Sequence, residues 1–422
     1  MIKTLDNGLR IIHQECDSPV VYCGYQIAAG TRHELPGEEG LAHFVEHATF
    51  KGTKRRKALQ IIQSLERVGG ELNAYTNKEE TVFYAACLKE NLPTALDILT
   101  DIVFHSVYPE QEVEKEKEVI VEEIESYNDS PAELIFDEFE NILFENHPLG
   151  HNILGTIENV RRFTADDIRR FAARYYRPEN AVLFVSGARG GIRGEAPTNL
   201  PHNGEAYKLA GDSQQKTQEA ILSSFHSLKP PHYGGGLEGA PSLHEKHLGT
   251  HQVHVMMGSR AYQRNHPDRM ALFLLNNILG GPGLSARLNV SLRERRGLVY
   301  TVESNMVAYS DTGVWSVYFG CDHEDTDRCI RLVKKELSRL VEKPLSARQL
   351  AQAKRQLKGQ IGIAADHREN DILDTGKAFL HDGTVKSLAR IYEEIDAITA
   401  EQLQRIATEL FSPERMHTLI YR

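Results

Sequence analysis

The chain has 422 residues, 41% of them hydrophobic and 26% charged, with a formal net charge of −10. That length exceeds one ordinary core and implies two domains of roughly 200 residues, with the composition of a soluble globular protein. The acidic balance excludes a nucleic-acid partner, which needs a basic field. No stretch approaches the roughly 20 unbroken apolar residues of a membrane span, so no membrane partner is expected. The start, Met1 to Gly8, has no apolar signal core and enters a turn-and-strand pattern. Five scattered cysteines (Cys16, Cys23, Cys87, Cys321, Cys329) without a CxxC pair argue against disulfides or a thiolate metal site. A cytoplasmic location fits both observations.

In chain order, Val20 to Ala28 is an apolar run between Pro19 and Gly30 and reads as a strand. Gly40 to Phe50 reads as a helix. The basic run Lys51 to Lys57 (KGTKRRK) reads as a solvated loop leading into a helix over Ala58 to Val68, where Ile61, Ile62, Leu65 and Val68 recur at helical spacing. Gly69-Gly70 stops that helix. Leu72 to Thr76 and Thr81 to Leu88 form two antiparallel strands around the polar turn Asn77-Lys78-Glu79-Glu80. Helices follow over Leu92 to Phe104, about Glu112 to Tyr127, Ala132 to Phe144 and Ala165 to Tyr176, and Ala181 to Ser186 is a closing strand.

Between Gly187 and Gly239 glycine, proline and asparagine become frequent, with one helical stretch near Ser213 to Phe225. Pro230-Pro231 and Gly234-Gly235-Gly236 cannot sustain an element, which sets a linker over 229–242 between domains 1–228 and 243–422. The second domain repeats the order of the first. Val253 to Gly258 is a strand and Arg269 to Leu279 a helix. Val299 to Asn305 and Gly313 to Cys321 are a strand pair, and Asp325 to Leu340 is a helix. An internal duplication follows. Its second copy has Leu274, Leu275, Asn276 and Asn277 where the first has histidines and a glutamate, so only the first can hold a metal.

The chemistry concentrates in His43-Phe44-Val45-Glu46-His47. Residues i and i+4 share a helix face, with i+3 beside them. His43 and His47 can therefore face one ion, with the Glu46 carboxylate adjacent as a general base. Imidazole suits zinc, and a catalytic zinc takes three protein ligands while leaving a position for water. The bland alternative is an amphipathic helix with two surface histidines. Other pairs are weaker: His244 and His247 lie near Pro241, His147 and His151 flank Pro148 and Gly150, and His251 and His254 read as opposite faces of one strand. The third ligand is open among Glu114, Glu116, Glu118, Glu122, Glu123 and Glu125 of one helix, most of which form a solvated face. Glu116 and Glu123 share a face two turns apart and make the best pair.

The order of motifs resembles the pitrilysin/insulinase family of inverted-motif zinc peptidases, in the branch of short bacterial proteins similar to the mitochondrial processing peptidase. The segments that carry the resemblance are LDNGLRII, AAGTRHELPGEEGLAHFVEHATFKGT, GGELNAYTNKEETVFYAACL, EKEVIVEEIESYNDSP, HPLGHNILGT and ILGGPGLSARLNVSLRERRGLVYTV, spread over nearly the whole chain. The resemblance implies an α+β fold of two homologous halves, each a mainly antiparallel sheet packed with helices, forming a clamshell around a chamber. It implies one Zn2+ per chain on His43, His47 and Glu123, with Glu116 as supporting carboxylate. It also implies that Arg293 and Tyr300 bind the substrate carbonyl, with Arg296 competing for the arginine role. Leu72-Asn73-Ala74-Tyr75-Thr76 matches the sheet edge to which a peptide substrate adds as a strand, with Asn73, Ala74 and Tyr75 as its substrate-binding residues. The activity implied is endopeptidase action on short or unfolded peptides, by a homodimer. A non-catalytic core subunit is the alternative, and an obligate heterodimer is disfavoured by both half-sites lying in one chain. The polar stretch from Gly187 to about Gln214 departs from the family, whose chain passes there directly through a Gly-Asp turn into a helix.

Overall fold

The structure, a computed structural model, describes residues 1–187 and 241–422. The helix expected near Ser213 to Phe225, most of the linker and the atypical stretch after Gly187 lie outside the described residues. In chain order the elements are β1 (Ile2–Thr4), β2 (Arg10–Gln14), β3 (Val20–Ile27), α1 (Leu41–Thr49), α2 (Ala58–Glu66), β4 (Glu71–Thr76), β5 (Thr81–Leu88), α3 (Leu92–His105), α4 (Glu110–Asn128), α5 (Pro131–Leu143), α6 (Ile157–Arg162), α7 (Ala165–Tyr175) and β6 (Ala181–Ser186). The second half continues with β7 (Leu243–Lys246), β8 (Val253–Ala261), α8 (Arg269–Gly280), β9 (Val299–Ala308), β10 (Gly313–Cys321), α9 (Thr326–Glu342), α10 (Ala347–Ala364), α11 (Arg368–Asp382), α12 (Leu388–Ala397), α13 (Ala400–Leu410) and β11 (His417–Tyr421). A π-helical turn, Asn289–Glu294, precedes β9.

The chain forms two compact units, one of Met1–Ile124, 152–187 and Arg368–Gly383, the other of Glu125–His151, 241–367 and Thr384–Arg422. The first is built on a six-stranded sheet in the order β1-β2-β6-β3-β5-β4, the second on a five-stranded sheet in the order β7-β11-β8-β10-β9. Setting β1 aside, the two orders correspond strand for strand. The polarities correspond too: β2 runs parallel to β6 as β7 does to β11, and the remaining pairs are antiparallel in both sheets. The duplication read from the sequence is thus a duplication of topology, and the chain is an α+β protein of two homologous halves.

A single cut near 228–243 does not describe the units completely. Helix α5 belongs to the second unit and α11 to the first, so each unit contains one helix encoded within the other half. Ile372, Phe379 and Leu380 of α11 pack with Ile12, Val82, Val182 and Phe184 of the first sheet, and Gly376 lets the helix lie close on Gln26. In the second unit Leu134, Ile135 and Phe139 of α5 pack with Met256, Val314, Tyr318 and Leu419. The opposite face of each sheet is covered by that half's own helices. Amphipathic faces that must leave water drive both arrangements.

Candidate metal centre

Helix α1 begins at Gly40, whose φ of 95° lies in the left-handed region and whose missing side chain leaves room for Leu154 O and Gly155. Its free N-terminal N–H groups are taken by Glu34, which accepts from Gly40 N at 3.1 Å and Ala42 N at 2.7 Å. A carboxylate here satisfies orphan donors and complements the helix dipole. Every residue of α1 except His47 is buried. An amphipathic helix with two surface histidines is therefore excluded, because His43 is only 6% exposed.

His43 and His47 hold their rings 4.6 Å apart. Helix α4 brings Glu123 to the same point: its carboxylate lies 3.7 Å from His43 Nε2 and 3.4 Å from His47 Nε2. These three residues form the only such group of candidate ligands among the described residues, with their donor atoms all within 4.8 Å of one another. Bonds of about 2.0–2.2 Å at tetrahedral angles would set neighbouring zinc ligands about 3.3–3.6 Å apart. The two measured separations come close to that requirement, so the donor set fits a zinc ion.

Burial pushes His43 down to about 4, helped by the neighbouring His47. Burial also works against a charged His47, but Glu116, Glu123 and Glu46 outweigh it and lift that imidazole to about 9. Glu123 is held below the ordinary carboxylate range, first by its bond with His47.

Glu116, buried one heptad before Glu123, accepts from His47 Nδ1 at 2.9 Å. This bond fixes the tautomer that turns Nε2 toward the other ligands. Lys51 Nζ lies 2.5 Å from the second oxygen of Glu116. The basic run is therefore not simply solvated: Lys51 binds Glu116, Arg56 pairs with the fully buried Asp101 at 2.5 Å, and Arg55 pairs with Asp97 at 2.9 Å. Glu46 is 8% exposed, and its pKa is raised by burial even though Thr76 Oγ1 donates to its Oε2 at 2.6 Å. Lys51 did not stand out in the sequence as a site residue, and Thr76 stood out only as the end of the edge strand, not as a partner of Glu46. Side chains that serve a site indirectly leave no spacing signature.

Strand β4, which carries Asn73, Ala74 and Tyr75, forms one edge of the first sheet and pairs, among the described residues, only with β5. In the second unit Arg293 lies in the π-helical turn and Tyr300 on β9, itself an edge strand. The Arg293 guanidinium stands 5.8 Å from the Tyr300 ring centre, and Tyr300 is 80% exposed. Arg296 instead donates to Ser291 O at 2.6 Å. Among its described residues the second unit has no counterpart of the candidate ligands. Asn276 of α8 donates to Ser304 O of β9 at 2.8 Å, a neutral tie between helix and edge strand. Of the weaker histidine pairs, His251 precedes β8 and only His254 lies in the strand, because β8 begins at Val253.

Residues 10–157 match the insulinase (peptidase family M16) pattern, and residues 209–357 match the M16 inactive domain. The chain is 33% identical over 429 residues to a Bacillus subtilis protein named "Uncharacterized zinc protease YmxG", covering 100% of this chain and 98% of that one. It is 31% identical over 412 residues to "Uncharacterized zinc protease ML0855" of Mycobacterium leprae, with 97% and 88% covered. In fold it matches the crystal structure of a protease from Helicobacter pylori with a TM-score of 0.85 at 23% identity, over 100% of this chain and 99% of that one. A peptidase M16 inactive domain from Pseudomonas fluorescens gives a TM-score of 0.81 at 20% identity, over 100% and 97%. With homology over its full length to proteins named zinc proteases, the chain belongs to the insulinase family of peptidases, M16.

Proposed function

We propose that this protein is a zinc-dependent endopeptidase acting on short or unfolded peptides within an enclosed chamber. The observation that carries the reading is the convergence of two imidazoles and one carboxylate beside the buried carboxylate of Glu46. His43, His47 and Glu123 would hold one Zn2+ per chain, and the ion when bound supplies the Lewis acidity that acidifies water and polarises a carbonyl. The residues do the rest. Glu46 takes the proton from the attacking water and passes it to the leaving amine. Glu116 keeps His47 in its ligating tautomer. Arg293 and Tyr300 donate to the substrate carbonyl oxygen as it gains charge, and the Arg293–Tyr300 contact favours Arg293 over Arg296 for that role.

The outer edge of β4 gives an extended peptide main-chain partners along Asn73, Ala74 and Tyr75. Backbone pairing selects extended conformation more than side-chain identity, which suits unfolded substrates. A cytoplasmic homodimer is the proposed setting; five cysteines that are all free thiols support the cytoplasmic part of that reading. No described helix is long and apolar enough to cross a membrane.

Metal analysis of the purified protein, paired with hydrolysis of a quenched fluorescent peptide, tests the reading. One zinc per chain and hydrolysis abolished by chelator are expected. Zinc-loaded protein that binds peptide without cutting it would instead make this a non-catalytic peptide-binding subunit.

A further inference from the structure

Thr76 is the last residue of β4 and the only one of that strand that is buried. Its partner across the ladder is Thr81, whose own hydroxyl donates to Ala29 O at 2.8 Å. Glu46, as a carboxylate, can only accept, so the Thr76 hydroxyl donates to Oε2 at 2.6 Å. A β-branched side chain in a strand has little χ1 freedom, and the hydroxyl is aimed by the backbone of β4 itself. The strand so engaged is the sheet edge, whose outward main-chain groups have no partner strand among the described residues.

We propose that Thr76 is a positioning residue for the general base: it ties up Glu46 Oε2, leaves proton abstraction to Oε1, and makes the placement of that base depend on the strand that receives the peptide. The inference rests on the peptidase reading above and adds to it a coupling between substrate binding and catalysis. A peptide that pairs along β4 presses on the same strand that orients Glu46. Substrates that add fewer main-chain bonds there lose turnover as well as affinity.

The test compares Thr76→Val, which keeps the shape and removes the hydroxyl, with Thr76→Ser, which keeps the hydroxyl. Zinc content, thermal midpoint, KM and kcat are measured for both, and zinc-loaded crystals are examined for the Glu46 conformation. In the valine variant kcat is expected to fall about 10–100-fold, the scale of a misplaced reacting group. KM should stay within about twofold, zinc content should be unchanged, and Glu46 should leave its wild-type rotamer. The serine variant restores kcat to within about threefold and returns Glu46 to its place. A valine variant with wild-type kcat, or with Glu46 still seated, overturns the proposal, as does a serine variant as slow as valine. A wild-type protein that holds zinc and cuts nothing, while Thr76→Val still frees Glu46, removes the peptidase reading and leaves the tether standing.

Discussion

Lys377 and Glu80, 297 positions apart in the chain, form an ion pair at 2.5 Å, with His381 Nε2 2.9 Å from the second oxygen of the same carboxylate. Glu80 is 1% exposed and closes the turn between β4 and β5, where Asn77 also donates to it at 2.9 Å. Helix α11 is thereby fastened to the hairpin that carries Thr76.

Glu80→Gln leaves the Lys377 ammonium without its counter-charge and should lower the unfolding free energy by about 3 kcal/mol, read from urea melts at pH 7. Burial opposes ionisation of Glu80, but His381 and Lys377 outweigh it and hold the carboxyl at about 2, below its ordinary 4.5. A depressed carboxyl contributes stability that is complete above 4.5 and is lost as the pH falls toward 2. Wild-type protein should lose stability through that window more steeply than the variant. Parallel acid profiles would contradict the assignment.

His33 supplies a second pH dependence at milder acidity. Burial lowers it to about 4 from an ordinary 6.5, although Glu79 pulls the other way, and its Nδ1 accepts from Gly30 N at 3.1 Å. A depressed histidine stabilises the fold above 6.5, and that contribution disappears as the pH falls through 4. His33→Gln retains a side-chain acceptor without a titrating ring. Its stability should change less than wild type between pH 7 and 4.5 in chemical denaturation.

Glu46→Gln should keep a full complement of zinc and lose about 10²–10⁴-fold in kcat, the usual contribution of a positioned base. The metal content shows that the site survives, and the peptide assay shows that its chemistry does not. Full activity in this variant would assign the base elsewhere.

Glu123→Gln should abolish stoichiometric zinc binding. Glu116→Gln and Lys51→Met, which act through His47, should weaken it by about 10–100-fold. Competition against a chromophoric chelator ranks the three proteins. Equal affinities across the series would contradict the order of contacts from Glu123 through His47 to Glu116 and Lys51.

Much of the centre could be read in the linear sequence, because helical spacing is a geometric statement. His43, Glu46 and His47 share a face by arithmetic, and Glu116 with Glu123 repeat by two turns. Glu123, with its side chain 44% exposed, is distinguished from its acidic neighbours only by what α1 brings to it, which periodicity does not contain. Thr76 and Lys51 were hidden for the same reason, as ordinary residues of a strand and a basic run. The strand pairs of both halves were visible from apolar runs and turns. The destinations of α5 and α11 were not: an amphipathic pattern says that a helix must cover something, not which sheet it covers. Neither short β1 nor β7 has enough residues to show an alternation.

The trading of α5 for α11 also sets a timetable. A ribosome that has released β6 must add about 180 more residues before α11 emerges, roughly 10–40 s at ordinary elongation rates. Through that interval Ile12, Val82, Val182 and Phe184 form an uncovered greasy surface on a nascent chain. A first half made as a stand-alone fragment would keep that surface bare, which predicts aggregation unless α11 or a chaperone covers it.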